Sequence, residues 1–124
     1  MRIRPYNPSE SQGRDVVNRF LRKEAKNIAD ARAGVYDALR FLEITPEVDC
    51  KRTGKIENLR GGVREFKWQL RDHWLRIFVA YYPTGSDVAI LHLVLKKTNA
   101  IDEDDIKQAT SNFTRYKQQC KGRR

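Results

Sequence analysis

From Val63 to Arg71 apolar and polar residues alternate one for one, the two-residue period of a half-buried strand, with Phe66, Trp68 and Leu70 facing in and Lys67 and Gln69 facing out. Asp72-His73 is short enough for a hairpin turn. Trp74 to Tyr82 continues the alternation: Leu75, Ile77, Val79 and Tyr81 fall on one side, Arg76, Phe78 and Ala80 on the other. Pro83-Thr84-Gly85-Ser86 reads as a second tight turn, and the almost wholly apolar Val88 to Leu95 as a central strand covered on both faces. Three consecutive antiparallel strands are therefore predicted.

Helical spacing flanks them. Val17, Phe20, Leu21, Ala25 and Ile28, then Ala31, Val35, Ala38, Leu39 and Leu42, form one apolar stripe. One helix of about 30 residues would be too long to keep a single face covered in so small a chain, so a helical hairpin broken near Lys26 and Asn27 is expected. Pro5, Asn7, Pro8 and the nearby serines suit an extended lead-in, with a helix start near Ser9 or Ser11. Glu43 to Gly62 carries breakers throughout and reads as loop. In the last element Asp102 is a good N-cap with Asp105 at N3, and Ile101 and Ile106 can staple around them; the four acids from Asp102 to Asp105 are read as capping rather than metal-binding. Ile106, Ala109, Phe113 and Tyr116 continue that helix to about Gln119. The expectation is an α+β domain over residues 1–124, a helical hairpin packed on a mainly antiparallel sheet with a C-terminal helix, residues 1–11 and 120–124 being flexible.

Composition narrows the function classes. Of the 124 residues 40% are hydrophobic, with five Phe, five Tyr and two Trp, enough for a core and too many for disorder. No apolar run approaches the roughly 20 residues of a membrane span, and no hydrophobic stretch follows Met1-Arg2-Ile3-Arg4-Pro5, so a cytoplasmic protein with no membrane partner is expected. Cys50 and Cys120 lie far apart without metal-ligand spacing, and free thiols, no metal and no cofactor are expected. The net charge of +9 points to a polyanion, with nucleic acid the leading class.

Particular stretches resemble a known family. Leu59-Arg60-Gly61-Gly62, Arg64-Glu65-Phe66-Lys67, Leu75-Arg76-Ile77-Phe78 and Ile90-Leu91-His92-Leu93-Val94-Leu95-Lys96-Lys97-Thr98, followed by a helix with Ala109, resemble the RelE/ParE superfamily, and within it the HigB-like, phage-derived toxins of type II toxin–antitoxin systems. The first 55 residues match only as a helical pattern. The resemblance implies a curved sheet with helices on one face and a basic groove on the other. It further implies an mRNA interferase that cleaves messenger RNA in the ribosome and a helix-turn-helix antitoxin that neutralises it.

Metal-free RNA cleavage needs the 2′-hydroxyl deprotonated, the phosphorane stabilised and the leaving 5′-oxygen protonated. Arg76, off the core stripe, is the expected phosphate ligand, because a guanidinium grips two oxygens at once. The resemblance places Lys67 where RNA-cleaving members carry a catalytic lysine. An amine of ordinary pKa, about 10.4, is a poor base, so that role requires neighbouring cations such as Arg76 and Lys97. Lys97 matches a basic position of the family beside the leaving group or the phosphate, with Lys96 as its neighbour. His92 is the candidate general acid, although a histidine in an apolar strand is more often a satisfied core residue. Arg64, Gln69, Arg71 and His73 complete the expected RNA-binding set. Gln69 stands where some relatives have a second catalytic lysine, and the C-terminal tyrosine that stacks on RNA has no counterpart, Tyr116 belonging to a core stripe. Those departures keep two alternatives open: a non-enzymatic gyrase inhibitor of the ParE kind, and an inactive remnant that binds only its antitoxin.

Overall fold

A computed structural model describes residues 1–98 and 100–122; Arg123 and Arg124, part of the tail expected to be flexible, lie outside the described residues. The order is β1 (Arg2–Pro5), α1 (Val16–Lys23), α2 (Ala31–Ile44), α3 (Glu47–Arg52), β2 (Ile56–Asn58), β3 (Arg64–Gln69), β4 (Trp74–Ala80), β5 (Asp87–Lys96) and α4 (Glu103–Gly122). The strands form one open sheet in the order β1-β5-β4-β3-β2, antiparallel except where β1 runs parallel to β5. The α+β reading, with a mainly antiparallel sheet and a closing helix, is what is found.

The alternation in β3 and β4 does what its period requires. Phe66, Leu70, Leu75, Ile77 and Val79 enter a core with α1, α2 and α3, while Phe78 and Ala80 enter a second core with α4. Each fully buried Phe or Ile contributes on the order of 2 kcal/mol, so both cores hold the sheet from its two sides. The hairpin turn closes tightly, the Leu70 N–H donating to the His73 carbonyl at 2.8 Å.

Four expectations are corrected. Arg2–Pro5, expected to be flexible, is an edge strand with Arg2 opposite Asp87 and Pro5 opposite Ile90. The stretch expected to be loop contains α3 and β2, β2 being ordered by its pairing with β3. The first helix starts later than Ser9 or Ser11, at Asp15, whose carboxylate accepts from the N–H groups of Val17 and Asn18, each at 3.0 Å. The stripe does break near Lys26 and Asn27, but a helical hairpin is not what the break produces: α1 packs on β5, and α2 on β1 and β4.

The position of α4 matters most for function. Ile106, Ala109, Phe113 and Tyr116 lay it across the sheet face that was expected to stay open as a groove. Buried Asn112, a polar residue within that stripe, donates to the Leu91 carbonyl at 2.8 Å and ties the helix to β5. Asp102 caps α4 through the Asp104 N–H at 2.9 Å, while Ile101 remains 44% exposed outside the proposed staple. Val16, at the start of α1, packs against both cores, so α1 lies where the two faces meet. No described helix is long and apolar enough to cross a membrane.

Candidate active site

Registration across β3, β4 and β5 brings five of the predicted residues to the face covered in part by α4. Lys67 lies opposite Arg76 and Gln69 opposite Trp74; across the next pair Trp74 faces Lys96, Arg76 faces Val94 and Phe78 faces His92. Directly opposed residues share a face, so Lys67, Gln69, Arg76, His92 and Lys96 are co-facial. Lys97 is exposed just past the end of β5.

The remaining predictions fall elsewhere. Arg64 pairs with Val79 and belongs to the opposite face, where its Nε lies 2.6 Å from Glu47 and its guanidinium 5.5 Å from the Tyr81 ring. Arg71 is exposed in the β3–β4 turn, its N–H donating to Asp30 at 3.0 Å, and His73 is half-buried at the end of that turn. Neither stands in the ladder that carries the other five.

Arg76 requires a further correction. It does leave the helix-facing core, yet it is 1% exposed and its Nη1 lies 2.7 Å from the fully buried Glu65 carboxylate. The expected view of open solvent is closed because α4 returns over this face and Glu65, two residues before Lys67, occupies the same side of β3. Arg76 Nη2 also donates to the Thr98 carbonyl at 3.4 Å, tying β4 to the segment after β5.

The other cations of this face are matched by carboxylates as well. Lys67, 19% exposed, has Glu57 of β2 at 3.5 Å, an anion where its expected role as a base called for cations. Lys96 lies 3.3 Å from Asp102 and 3.4 Å from Asp105. Burial disfavours its charge, but the hydrogen bond to Asp102 and the charge of Asp105 outweigh that and hold its ammonium above the ordinary lysine range. Asp102 is held below the ordinary carboxylate range by the Asp104 N–H and then by Lys96. Lys96 is therefore a fixed cation, unsuited to accepting a proton.

His92 is the member of the set with acid–base geometry. Its Nε2 lies 2.9 Å from Asp105 Oδ1, its ring packs 5.6 Å from Phe78, and it is 22% exposed. A carboxylate only accepts, so it selects the imidazole tautomer with the proton on Nε2 and leaves Nδ1 as the exchangeable nitrogen. His92 also lines a cleft of about 310 Å3 with Arg19, Phe20 and Lys23 of α1 and Gln108 and Asn112 of α4. Sequence reasoning missed Glu57, Glu65 and the second role of Asp105. The spacing of Glu65 and Lys67 on one face of β3 was a readable signal for Glu65, whereas Glu57 and Asp105 come from elements whose placement the pattern did not give.

Outside this face, Cys50 is fully buried with its thiol pushed up by burial, and Cys120 is half-buried; both are free thiols. Tyr116 is buried edge-on to Tyr82, in the core position expected of it. Among the described residues no group of three or more His, Cys, Asp or Glu side chains is arranged to hold a metal ion.

Comparison with known proteins gives a family match. The model of the family described as Phage derived protein Gp49-like (DUF891) matches residues 24–114. A search of curated proteins and a search of solved structures found no match.

Proposed function

This chain belongs to the Gp49-like family of phage-derived proteins, a family associated with the toxins of toxin–antitoxin systems, and from that premise we propose that it is a toxin that cleaves messenger RNA on the ribosome and is neutralised by a helix-turn-helix antitoxin. The observation that carries this reading is the co-facial placement of Lys67, His92 and Lys96 beside exposed Lys97, with Asp105 orienting the histidine.

In the proposed reaction the 2′-oxygen attacks the adjacent phosphorus, the bond to the 5′-oxygen breaks, and a 2′,3′-cyclic phosphate and a 5′-hydroxyl result. Water takes the 2′-hydroxyl proton, Lys67 and Lys97 as ammonium groups stabilise the charge that develops on the attacking oxygen and on the phosphorane, and protonated His92 gives its Nδ1 proton to the leaving oxygen. Asp105 stabilises the imidazolium in the manner of any acid–base pair. Arg76 supports this arrangement by holding Glu65 and Thr98, without touching the phosphate.

A second reading has its own support. The buried Arg76–Glu65 pair and the Lys67–Glu57 pair consume cations that catalysis would use, which favours a non-enzymatic inhibitor of gyrase. Expression from a tight promoter, with growth, ribosome-associated RNA ends and DNA supercoiling followed together, separates the two. Growth arrest with new cyclic-phosphate ends and unchanged supercoiling is expected. Arrest with intact RNA and altered supercoiling would replace the first reading with the second.

A further inference from the structure

The loop before α1 and the helix itself form a second cleft of about 530 Å3, lined by Pro8, Gln12, Arg14, Arg19, Arg22 and Lys23 among others, with no acidic residue in its wall. Among the described residues none of these four cations forms an ion pair. Arg22 spends part of its guanidinium on the Gly13 carbonyl, to which Nη1 donates at 2.8 Å, so it also fastens the loop to the helix.

Helix stability does not account for this arrangement. Arg22 and Lys23 do suit the negative end of the α1 dipole, being in its last turn. Arg14, however, immediately precedes the N-cap Asp15, where a cation opposes the dipole. Arg19 stands three residues from Arg22 and four from Lys23, spacings at which like charges repel across one face of a helix. Four exposed cations held together against these costs, with no carboxylate among them, constitute a site for an anion supplied from outside.

Arg19 and Lys23 also line the smaller cleft that contains His92, so the two hollows are neighbours along α1 and share those two side chains. That smaller cleft carries apolar walls, Val16, Phe20 and Leu93, beside the amide of Gln108 and one carboxylate, Glu24, next to Lys23. Charge for phosphates followed by a part-apolar, part-amide hollow fits a nucleotide better than an acidic peptide, which needs no such recess. We propose that this cleft is a phosphate-binding track, in which Arg14, Arg19 and Lys23 hold the backbone of single-stranded RNA and lead it along α1 to His92. The inference rests on RNA being the toxin's substrate and assigns where that substrate lies.

The test compares the full chain, Arg14→Glu/Arg19→Glu, the milder Arg14→Gln/Arg19→Gln, and Arg32→Glu/Arg40→Glu, which makes the same charge change on α2. Binding of a short single-stranded RNA is titrated over a range of salt, with thermal unfolding as the check on folding. Reversal in the cleft is expected to weaken binding about tenfold or more and to reduce the salt slope by about 1.4, the loss of two phosphate contacts to a single strand. The glutamine variant should show a smaller loss of the same kind, and the α2 variant should bind within about twofold of the unaltered chain, as net charge alone acts weakly at that distance in salt. Equal losses in the cleft and α2 variants would overturn the proposal. So would unchanged RNA binding in the reversed variant, and a loss of antitoxin binding in that variant would then assign the cleft to an acidic protein. RNA cleavage by the unaltered chain with no effect of the cleft variants removes the track alone; absence of any RNA cleavage by the unaltered chain removes the RNA-cleaving reading on which it rests.

Discussion

The β3–β5 face and the α1 cleft carry similar numbers of cations and treat them in opposite ways. On the sheet, Lys67, Arg76 and Lys96 each have a carboxylate within 3.5 Å, supplied by Glu57, Glu65 and Asp102, and Asp105 lies 2.9 Å from the His92 ring. Along α1, Arg14, Arg19, Arg22 and Lys23 share a hollow whose wall has no acid. The first region orients and fixes charge; the second offers it. A net charge of +9 is thus a poor guide to where a polyanion binds, because the pairing of each cation decides how much of that charge reaches solvent.

The largest expected effect breaks the sheet side of this contrast. Arg76→Ala leaves the Glu65 carboxylate buried without its counter-ion and should cost about 3–5 kcal/mol, read as a lowered midpoint in urea at unchanged slope. Glu65→Leu/Arg76→Met, which removes both charges, should recover most of that loss. A stable, folded Arg76→Ala protein would show that the pair is not what holds this face together.

Next comes the group that links the two regions. His92→Gln should lower RNA cleavage by about a hundredfold or more, the usual contribution of a positioned acid, while RNA affinity stays within about twofold. Asp105→Asn should reduce cleavage less, since it removes only the orienting partner. Cleavage unchanged in His92→Gln, measured on the same RNA, would take the histidine out of the reaction.

The smallest effect concerns the strap between β5 and α4. Because the folded-state value of Lys96 is raised, its contribution to stability is full below the ordinary lysine pKa of about 10.4 and is lost as pH climbs through the folded value. Asp102 is lowered, so its contribution is full above about 3.9 and is lost as pH falls through the folded value. The urea midpoints of the unaltered chain and Lys96→Met should therefore differ by a constant amount from about pH 5 to 9 and converge in strong alkali. A difference that grew above pH 10 would contradict the assignment.

Much of the architecture was legible because neighbouring residues enforce it. Alternation in β3 and β4, the apolar run of β5 and the cap at Asp102 are local signals, and each element stands where those signals put it. β1 and β2 were hidden because they are four and three residues long and exist through pairing with strands elsewhere in the chain. The site was half legible for the same reason. Period two places Lys67, Arg76, His92 and Lys96 on one face, but nothing local says that Ile106, Phe113 and Tyr116 bring α4 over that face or that Asp105 then reaches His92. The α1 cleft depends on how the loop at residues 8–14 folds against the helix, and strand and helix periodicity carry no information about that.

Where RNA rests on the molecule is the most direct question. Backbone amide shifts of the full chain, followed by NMR during titration with a single-stranded RNA of about twelve nucleotides, answer it without relying on substitutions. The perturbed amides are expected to run from Gln12 to Lys23 and on to His92, Gln108, Lys67 and Lys97. Shifts confined to β3 and the β3–β4 turn, with α1 silent, would contradict that expectation.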